Sequence, residues 1–401
     1  MNPIRILVVD DSAVMRRFII NALVAHDDLE VIGTASNGLS AIDFVRKSRP
    51  DIVILDIEMP VMDGLSGLRE IRKFDRTLPI IMFSSLTQRG ADSTITALMA
   101  GASDYVGKPT NLSDAKEAAL VLEQTLIPKI KALCLGEHVS MTERATADLD
   151  AKSNDLSRPR RASFQGNAEA GSSNVLPSTL TSPAVTLNSM AHAPVRPTMT
   201  GSFSSARIEA VCIGVSTGGP AALGRIFERW TEPLAVPVFI VQHMPAQFTT
   251  LLAQKLAGLH NIPVTEAVDG EVVMNGHVYI APGGLHLALE EIAGRVMIRL
   301  TLEPPENFCR PAVDVLFRTA ASIYGPRLLG IVLTGMGSDG AKGAMSISRA
   351  GGQIIAQDQA TSLIWGMPGA VVRAGLAKKI MPLGDVYQEL YEHCRARKAV
   401  Q

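Results

Sequence analysis

Three acidic residues near the start of the 401-residue chain stand at the ends of apolar runs. Asp10 and Asp11 directly follow Ile6–Val9, and Asp56 follows Ile52–Leu55. If both runs are strands of one parallel sheet, their carboxyl ends meet at the same edge. Carboxylates gathered there repel one another unless a cation neutralises them, and oxygen ligands with room for water suit Mg²⁺. The pattern predicts a magnesium site.

A hydroxyl and a cation follow two further apolar runs. Ser84 comes after Ile80–Phe83, and Lys108 comes shortly after Asp104–Val106. Together with the acids, they predict a site that accepts a phosphoryl group, with Asp56 as the nucleophile. The alternative is that acids at strand ends only cap helices. Five suitable positions at the ends of four separate strands make this alternative the weaker one.

A serine in the second half of the chain lies in the segment GVSTGGP. Ser216 follows the apolar run Ala210–Val215 and precedes a helical pattern, so it is expected on a tight, exposed turn whose amides favour negative charge. The segment also matches the G-x-S-x-G motif of α/β-hydrolases. Those enzymes order their triad Ser, Asp, His, whereas here the best-placed histidine precedes the best-placed acid. A turn or phosphate-binding loop without catalysis is the alternative.

A histidine follows the next strand-like run. Of the eight histidines, His243 alone has a strand pattern directly before it, Val238–Gln242, and a proline shortly after it. Its position at a strand end suits a general base that acts on Ser216. His277 and His286 remain alternatives.

A third segment, LTGMGSDG, contains glycines 335, 337 and 340 in the spacing G-x-G-x-x-G. With Asp358 further along, it is a candidate dinucleotide-binding loop. Asp339 inside the loop would repel the pyrophosphate, which disfavours that interpretation. The other interpretation makes Asp339 the acid that orients His243, as in a Ser-His-Asp triad, with loop amides free to stabilise an oxyanion. Asp269 and Asp314, like Asp358, remain competing acids.

Alternating strand and helix patterns position these residues. They predict an α/β protein with a doubly wound parallel sheet in residues 1–137 and a second doubly wound α/β domain in residues 207–401. The segment 138–206 is rich in Ser, Thr, Pro and Ala, which predicts a flexible linker. The strands predicted in the second domain are Ala210–Val215, Val238–Gln242, Val278–Ala281, Val296–Leu300, Gly330–Thr334 and Gly352–Ala356.

Composition excludes several classes of protein. The chain is 47% hydrophobic and 19% charged, and its net charge of −1 disfavours a basic nucleic-acid binder. It has no apolar run long enough for a membrane span, and acids follow its first apolar run, unlike a secretion signal. The four cysteines form no CxxC pair and no zinc spacing, so we expect reduced thiols in a cytoplasmic protein.

Residues 1–126 resemble a response-regulator receiver domain, which has a flavodoxin-like fold. The motifs that carry this resemblance are ILVVDDS, DIVILDIEMPVMDG, MFSS and GASDYVGKP. It implies that Asp56 is the phosphoacceptor and that Mg²⁺ is held by Asp10, Asp11, Asp56 and the backbone carbonyl of Glu58. It further implies switch and phosphoryl-contacting roles for Ser84, Tyr105 and Lys108.

Residues 208 to about 396 resemble the catalytic domain of the CheB family of chemotaxis protein-glutamate methylesterases. The motifs are GVSTGGP, VQHMP, APGG, RPAVDVLF, LTGMGSDGA and GMPGA. The resemblance implies Ser216 as nucleophile, His243 as general base and Asp339 as third member. It also implies that the Met336 amide binds the oxyanion and that Thr217 helps to hold the histidine. The chain departs from the family in Leu285 before His286 and in its longer linker.

This resemblance implies an enzyme of chemotactic adaptation. Such an enzyme hydrolyses glutamate γ-methyl esters on the cytoplasmic helices of methyl-accepting chemoreceptors, releases methanol, and deamidates certain receptor glutamines. A chemotaxis histidine kinase supplies the phosphoryl group, and the unphosphorylated receiver blocks access to Ser216. Mg²⁺ serves the receiver and hydrolysis needs no cofactor; neither nucleic acid nor membrane insertion is expected. The rival outputs are a DNA-binding module, a nucleotide-binding dehydrogenase and a catalytically silent adaptor.

Overall fold

The computed structural model describes residues 2–85, 87–109, 115–135, 207–260 and 262–395. Both halves are α/β, with parallel sheets covered by helices, as the sequence predicts. The linker predicted at 138–206 lies outside the described residues. Within the described ranges, no helix combines the length and the apolar character that a membrane span requires.

The N-terminal sheet has five parallel strands in the order β2-β1-β3-β4-β5. This is the flavodoxin-like order, in which ligands bind where the strand order reverses, beside β1 and β3. Buried apolar residues fill β1 and β3, as expected for strands covered on both faces. The strands are β1 (Ile4–Val9), β2 (Leu29–Ala35), β3 (Ile52–Asp56), β4 (Ile80–Ser84) and β5 (Asp104–Gly107).

Side-chain caps begin four of the five helices in this half. Ser12, Asn37, Asp63 and Thr87 each accept a hydrogen bond from the backbone N–H three residues later. The Thr87 cap sets the start of α4. The helices are α1 (Ala13–Val24), α2 (Gly38–Ser48), α3 (Gly64–Phe74), α4 (Gln88–Met99) and α5 (Ala115–Leu135).

The C-terminal sheet has seven parallel strands in the order β14-β13-β12-β6-β7-β9-β8. The chain leaves β6 toward β7 on one side and later returns through β12 on the other. The strand order therefore reverses at β6, and sheets of this kind bind ligands at the carboxyl ends of the strands beside such a reversal. The strands are β6 (Ala210–Val215), β7 (Val238–Gln242), β8 (Val264–Glu266), β9 (Val278–Ile280), β12 (Leu328–Val332), β13 (Gln353–Gln357) and β14 (Lys379–Met381).

Two further strands form an antiparallel hairpin outside this sheet. They are β10 (His286–Ile292) and β11 (Arg295–Thr301), joined at Ala293 and Gly294, which both have positive φ. The strand predicted at 296–300 therefore forms, but it pairs within the hairpin. β8, β14 and the first strand of the hairpin, β10, were not predicted.

Six α-helices are described in the C-terminal half. They are α6 (Gly219–Phe227), α7 (Ala246–Ala257), α8 (Val313–Tyr324), α9 (Ala341–Arg349), α10 (Met367–Arg373) and α11 (Leu383–Cys394). Ala312, the residue before α8, cannot cap this helix with its side chain. The first amides of α8 are therefore available to another group.

Candidate active site and phosphoryl-acceptor site

Three neighbouring strands bring the residues of the candidate active site together. Val215 pairs with Gln242, and Val332 pairs with Gly214, so β7 and β12 end on either side of β6. Ser216 directly follows β6, and His243 directly follows β7. Asp339 lies in the loop after β12.

Ser216 lies on a tight turn between β6 and α6. Its N–H donates to the Thr334 carbonyl at 3.0 Å, and its own carbonyl accepts from Gly219 at 2.8 Å. Gly218 turns the chain with a φ of 79°. The serine is half-buried. Its Oγ makes no hydrogen bond to any residue that the structure describes, so the hydroxyl is available for chemistry.

The imidazole of His243 has a partner at each nitrogen. Nε2 lies 2.8 Å from Asp339 Oδ2, and Nδ1 lies 3.5 Å from Cys309 Sγ. Burial disfavours the charged ring, but the hydrogen bonds to Asp339 and Cys309 outweigh it and raise the pKa of His243 to about 10. The predicted pair of His243 and Asp339 is thus present, and Asp339 occupies Nε2 while Cys309 lies at Nδ1.

The start of α8 holds the Asp339 carboxylate. The N–H groups of Val313 and Asp314 donate to it at 2.6 and 3.1 Å, and that of Gly340 donates at 2.9 Å. Burial alone would raise the pKa of Asp339, yet His243 and these amides outweigh burial and lower it. The amides at a helix start favour a negative charge. The carboxylate is therefore kept ionised and fixed in orientation.

A second buried acid adjoins this carboxylate. Asp314 accepts from the Gly343 N–H at 2.6 Å, and the Asn307 amide donates to both Asp314 and Asp339 at 2.8 Å. Burial, together with the charge of Asp339, raises the pKa of Asp314 to about 6. Sequence reasoning missed Asn307 and Cys309. The only signal was their position just before the RPAVDVLF motif.

The loop after β12 packs directly on the serine. A Cβ added to Gly335 would lie 2.8 Å from Ser216 Cβ and 2.4 Å from Met367 Sδ, so only glycine fits. The Gly335 N–H donates a hydrogen bond to the Ile364 carbonyl at 3.0 Å. The next amide, that of Met336, donates to none of the described residues. It is therefore available to an oxyanion.

The structure does not bring the Thr217 hydroxyl to His243, as the resemblance implied. Thr217 Oγ1 instead donates to Asp104 Oδ2 at 2.7 Å, so the hydroxyl is engaged by the N-terminal half of the chain. Lys129 holds the other oxygen of Asp104, also at 2.7 Å. Thr217 thus links the turn of the nucleophile to β5.

The alternative histidines have other partners. His277 Nε2 bonds to Thr265 at 2.8 Å. His286 is fully buried; its Nδ1 accepts from the Ala312 N–H at 3.2 Å. Both therefore act within the framework of the fold.

The remaining alternative acids are also engaged elsewhere. Asp269 accepts from the Leu300 N–H at 2.9 Å, and Asp358 accepts from the Thr361 N–H at 3.0 Å in a local turn. A carboxylate used in that way is poorly placed for a ribose. Together with Asp339 inside the glycine loop, this arrangement argues against a dinucleotide site.

The N-terminal acids form the predicted cluster. Oxygens of Asp10, Asp11 and Asp56 lie within 4.8 Å of one another. Lys108 Nζ lies 2.9 Å from Asp10 Oδ2 and 2.7 Å from Asp56 Oδ2. Lys108 thus forms ion pairs with both buried carboxylates. Three carboxylates gathered this closely carry more negative charge than one lysine neutralises, and an all-oxygen set of donors fits a hard divalent cation.

Burial dominates the electrostatics of Asp56. It raises the pKa of this carboxyl to about 6, although Lys108 opposes the shift; the charge of Asp10 reinforces it. The Glu58 N–H lies 3.4 Å from Asp56 Oδ1, and its side chain is exposed. Glu58 can therefore contribute only its backbone to this buried cluster.

The other residues of the acceptor site lie at the ends of β4 and in β5. Ser84 is buried, and its hydroxyl donates to the carbonyls of Ser85 and Gly90 at 3.1 and 3.3 Å. The Tyr105 ring stacks on Phe248 of α7, with centroids 4.7 Å apart. Burial raises the pKa of the Tyr105 phenol above its ordinary value. The predicted switch aromatic thus contacts the C-terminal half.

Helix α4 completes this contact between the halves. It packs on α6 and α7, and Ile95 and Leu223 belong to one continuous hydrophobic cluster. At its edge, Lys255 Nζ lies 3.0 Å from Asp92. The face that carries Tyr105 therefore covers the helices that begin next to Ser216 and His243.

The N-terminal half is a five-stranded domain with an acidic cluster and a lysine. The C-terminal half is a seven-stranded domain with Ser, His and Asp after its strands. Together they define a response regulator with a hydrolase output. Residues 6–120 match the response regulator receiver domain, and residues 211–390 match the CheB methylesterase domain. The chain belongs to the CheB methylesterase family.

Relatives match over nearly the whole chain. A protein-glutamate methylesterase/protein-glutamine glutaminase of Trichodesmium erythraeum is 43% identical over 97% of this chain and 99% of its own length. The protein of the same name from Nocardioides sp. is 44% identical over 97% of this chain and 95% of its own. The crystal structure of the Thermotoga maritima CheB methylesterase catalytic domain is 41% identical; it covers 47% of this chain and 99% of that one, with a TM-score of 0.45.

Proposed function

We propose that this chain is a phosphorylation-activated serine hydrolase that removes methyl groups from glutamate γ-methyl esters of methyl-accepting chemoreceptors. The observation that carries the proposal is the His243–Asp339 pair, 2.8 Å apart, at the same sheet edge as Ser216, whose hydroxyl bonds to none of the described residues. The relatives that match nearly the whole chain are named for this activity.

Hydrolysis begins with Ser216. Its Oγ attacks the ester carbonyl carbon while His243 Nδ1 takes its proton, because Nε2 is held by Asp339. The negative charge that develops on the carbonyl oxygen is stabilised by the Met336 N–H. Collapse of the tetrahedral intermediate breaks the bond to the methoxy group, which receives the proton from the imidazolium and leaves as methanol.

Water completes the cycle. His243 takes a proton from the water, whose oxygen attacks the acyl carbon, and returns a proton to Ser216 Oγ as the glutamate is released. A glutamine side chain follows the same route with ammonia as the leaving group, which accounts for glutaminase activity. Each proton transfer is assigned to a side chain, so the scheme requires no cofactor at Ser216.

The N-terminal half controls this reaction through Asp56, which accepts a phosphoryl group from a chemotaxis histidine kinase. Mg²⁺, when bound, neutralises the negative charge gathered around the acceptor. The ligands proposed for it are Asp10, Asp11, Asp56 and the backbone carbonyl of Glu58. Lys108 contacts the phosphoryl group, and Ser84 turns its hydroxyl toward it from its present carbonyl partners.

The unphosphorylated receiver blocks the active site. Two contacts hold the halves together beside Ser216. The Tyr105 ring stacks on Phe248, and the Thr217 hydroxyl donates a hydrogen bond to Asp104. Phosphorylation reorients Ser84 and Tyr105, weakens this face and shifts the population toward an open state. A receptor helix then reaches the serine.

The proposed organisation is a receiver in residues 1–137, a flexible linker in 138–206 and a catalytic domain in 207–401. The protein acts in the cytoplasm on the cytoplasmic helices of receptors. It inserts into no membrane and binds no nucleic acid.

A methanol-release assay on methylated receptor tests this function. We expect the wild-type chain to release methanol faster after a small-molecule phosphodonor and Mg²⁺ are added. The Asp56→Asn variant should keep the basal rate and lose the increase. No methanol release under either condition would contradict the proposal.

A further inference from the structure

Cys309 occupies the nitrogen of His243 that the reaction needs. Its Sγ lies 3.5 Å from Nδ1, while Asp339 holds Nε2 at 2.8 Å. The Ser216 hydroxyl, the group expected at Nδ1, has no hydrogen-bond partner among the residues that the structure describes. The histidine is therefore engaged on both sides in this state, and the thiol takes the place of the serine.

A tight turn holds the thiol in that position. The N–H of Cys309 donates to the Glu306 carbonyl at 2.9 Å, and the N–H of Glu306 donates back at 3.1 Å. Asn307 and Phe308 between them both have positive φ, the pair of conformations that closes such a turn. The Asn307 side chain is tied to Asp339 and Asp314 at 2.8 Å. The thiol is thus fixed relative to the same carboxylate that fixes the imidazole.

We propose that Cys309 is a positioning residue that occupies Nδ1 of the resting His243 ring, and that this contact must break before the same nitrogen engages Ser216. The inference rests on the proposed role of His243 as the general base. With a neutral ring that donates Nε2–H to Asp339, the thiol donates its proton to Nδ1. With a charged ring, Nδ1–H donates to sulfur instead. In both forms Cys309 competes with Ser216 for one nitrogen.

This role has a consequence for the pH dependence of the reaction. The titratable groups around the ring are Asp339 and Cys309, with Asp314 behind them through Asn307. Cys309 favours the charged ring, so its removal lowers the pKa of His243 and frees Nδ1. The acid limb of kcat/KM then moves to lower pH, while the plateau is retained because Asp339 still orients the ring.

Two variants of the full chain test the proposal by methanol release from methylated receptor across pH. Cys309→Ala should shift the acid limb to lower pH and raise the rate near pH 7 several-fold at an unchanged plateau. Cys309→Ser, which keeps a polar partner at Nδ1, should restore the wild-type profile. The positioning role would be overturned if the acid limb stayed fixed in both variants or if the plateau fell in both. Cys309 would then serve only to stabilise the fold.

The Ser216→Ala variant separates this outcome from a failure of the proposed function. If it releases no methanol while the Cys309 profiles coincide with wild type, only the positioning role is wrong. If Ser216→Ala retains the wild-type rate, the hydrolase mechanism itself is wrong, and the positioning role falls with it.

Discussion

A single buried carboxylate sets the chemistry of the candidate active site. Asp339 receives amides from the start of α8 and holds His243, which keeps the acid ionised and raises the pKa of the ring. A general base acts only when neutral. We therefore expect the rate to climb with pH well above the range in which an ordinary histidine loses its proton, because the pKa of this ring is raised to about 10.

Replacement of Asp339 by asparagine tests this electrostatic role. We expect Asp339→Asn to lower kcat by roughly 10³–10⁴-fold, because the ring loses the acid that orients it. The acid limb of the pH profile should also move to lower pH, since the charge that raises the pKa of His243 is gone. The measurement is methanol release across pH. Asp269→Asn, an exposed acid of the same half, is the control and should match wild type.

The sequence predicts that Ser216, His243 and Asp339 lie close together, but it does not predict all of their partners. Ser216 and His243 each follow an apolar run directly, so parallel strands alone place them at one edge of the sheet. Asn307 and Cys309 come from an irregular loop whose path depends on a turn with two positive φ values. The spacing of these residues in the sequence does not predict the path of that loop. The direction of the Thr217 hydroxyl depends likewise on Asp104, a residue of the other half.

At the scale of elements, the loop after β12 is held by close packing at one glycine. Gly335 lies against Ser216 and Met367 with no room for a methyl group. The position of the Met336 amide relative to the serine depends on this approach. Strands with a continuous apolar run were predicted well; β8, β14, and the hairpin strand β10 with its pairing to β11 were not.

A methyl group at Gly335 should displace the loop. We expect Gly335→Ala to cost about 1–3 kcal/mol of unfolding free energy, as overpacked sites do, and to reduce methanol release by at least tenfold. Thermal melting and the methanol assay measure the two effects. Gly384→Ala in α11 is the matched control, because a Cβ there meets nothing within 4 Å. Wild-type turnover by Gly335→Ala would contradict the role of the loop.

At the scale of the whole molecule, the proposed regulation requires that the N-terminal half cover the C-terminal half in the unphosphorylated state. The contact combines an aromatic stack, the hydrogen bond from Thr217 to Asp104 and the packing of α4. The sequence predicted both domains, but not these contacts, because residues from separate domains share no periodic pattern.

Loss of the aromatic stack should open the closed state. An aromatic pair contributes about 0.5–1.5 kcal/mol, so Tyr105→Ala should raise the unphosphorylated rate by about two- to tenfold. The readout is methanol release without phosphodonor. Phe74→Ala, which removes a partly exposed receiver aromatic that contacts Arg46, should leave the rate unchanged. A basal rate that does not rise in Tyr105→Ala would count against the blocking contact.

Removal of the receiver should abolish its inhibition of the active site altogether. A chain that lacks residues 1–137 should hydrolyse methylated receptor faster than the unphosphorylated full chain, and phosphodonor or chelator should no longer change its rate. In the full chain, a chelator should abolish only the increase caused by the phosphodonor. A truncated chain that is folded but no faster would contradict inhibition by the receiver.

The most direct test is methanol release by the Ser216→Ala variant, with phosphorylation of Asp56 followed in the same sample. Ser322→Ala, a serine hydroxyl on α8 bonded to a backbone carbonyl, is the control. We predict that Ser216→Ala is phosphorylated like wild type and releases no methanol, while the control retains full activity. Wild-type methanol release by Ser216→Ala would show that the serine, histidine and acid do not form the catalytic group.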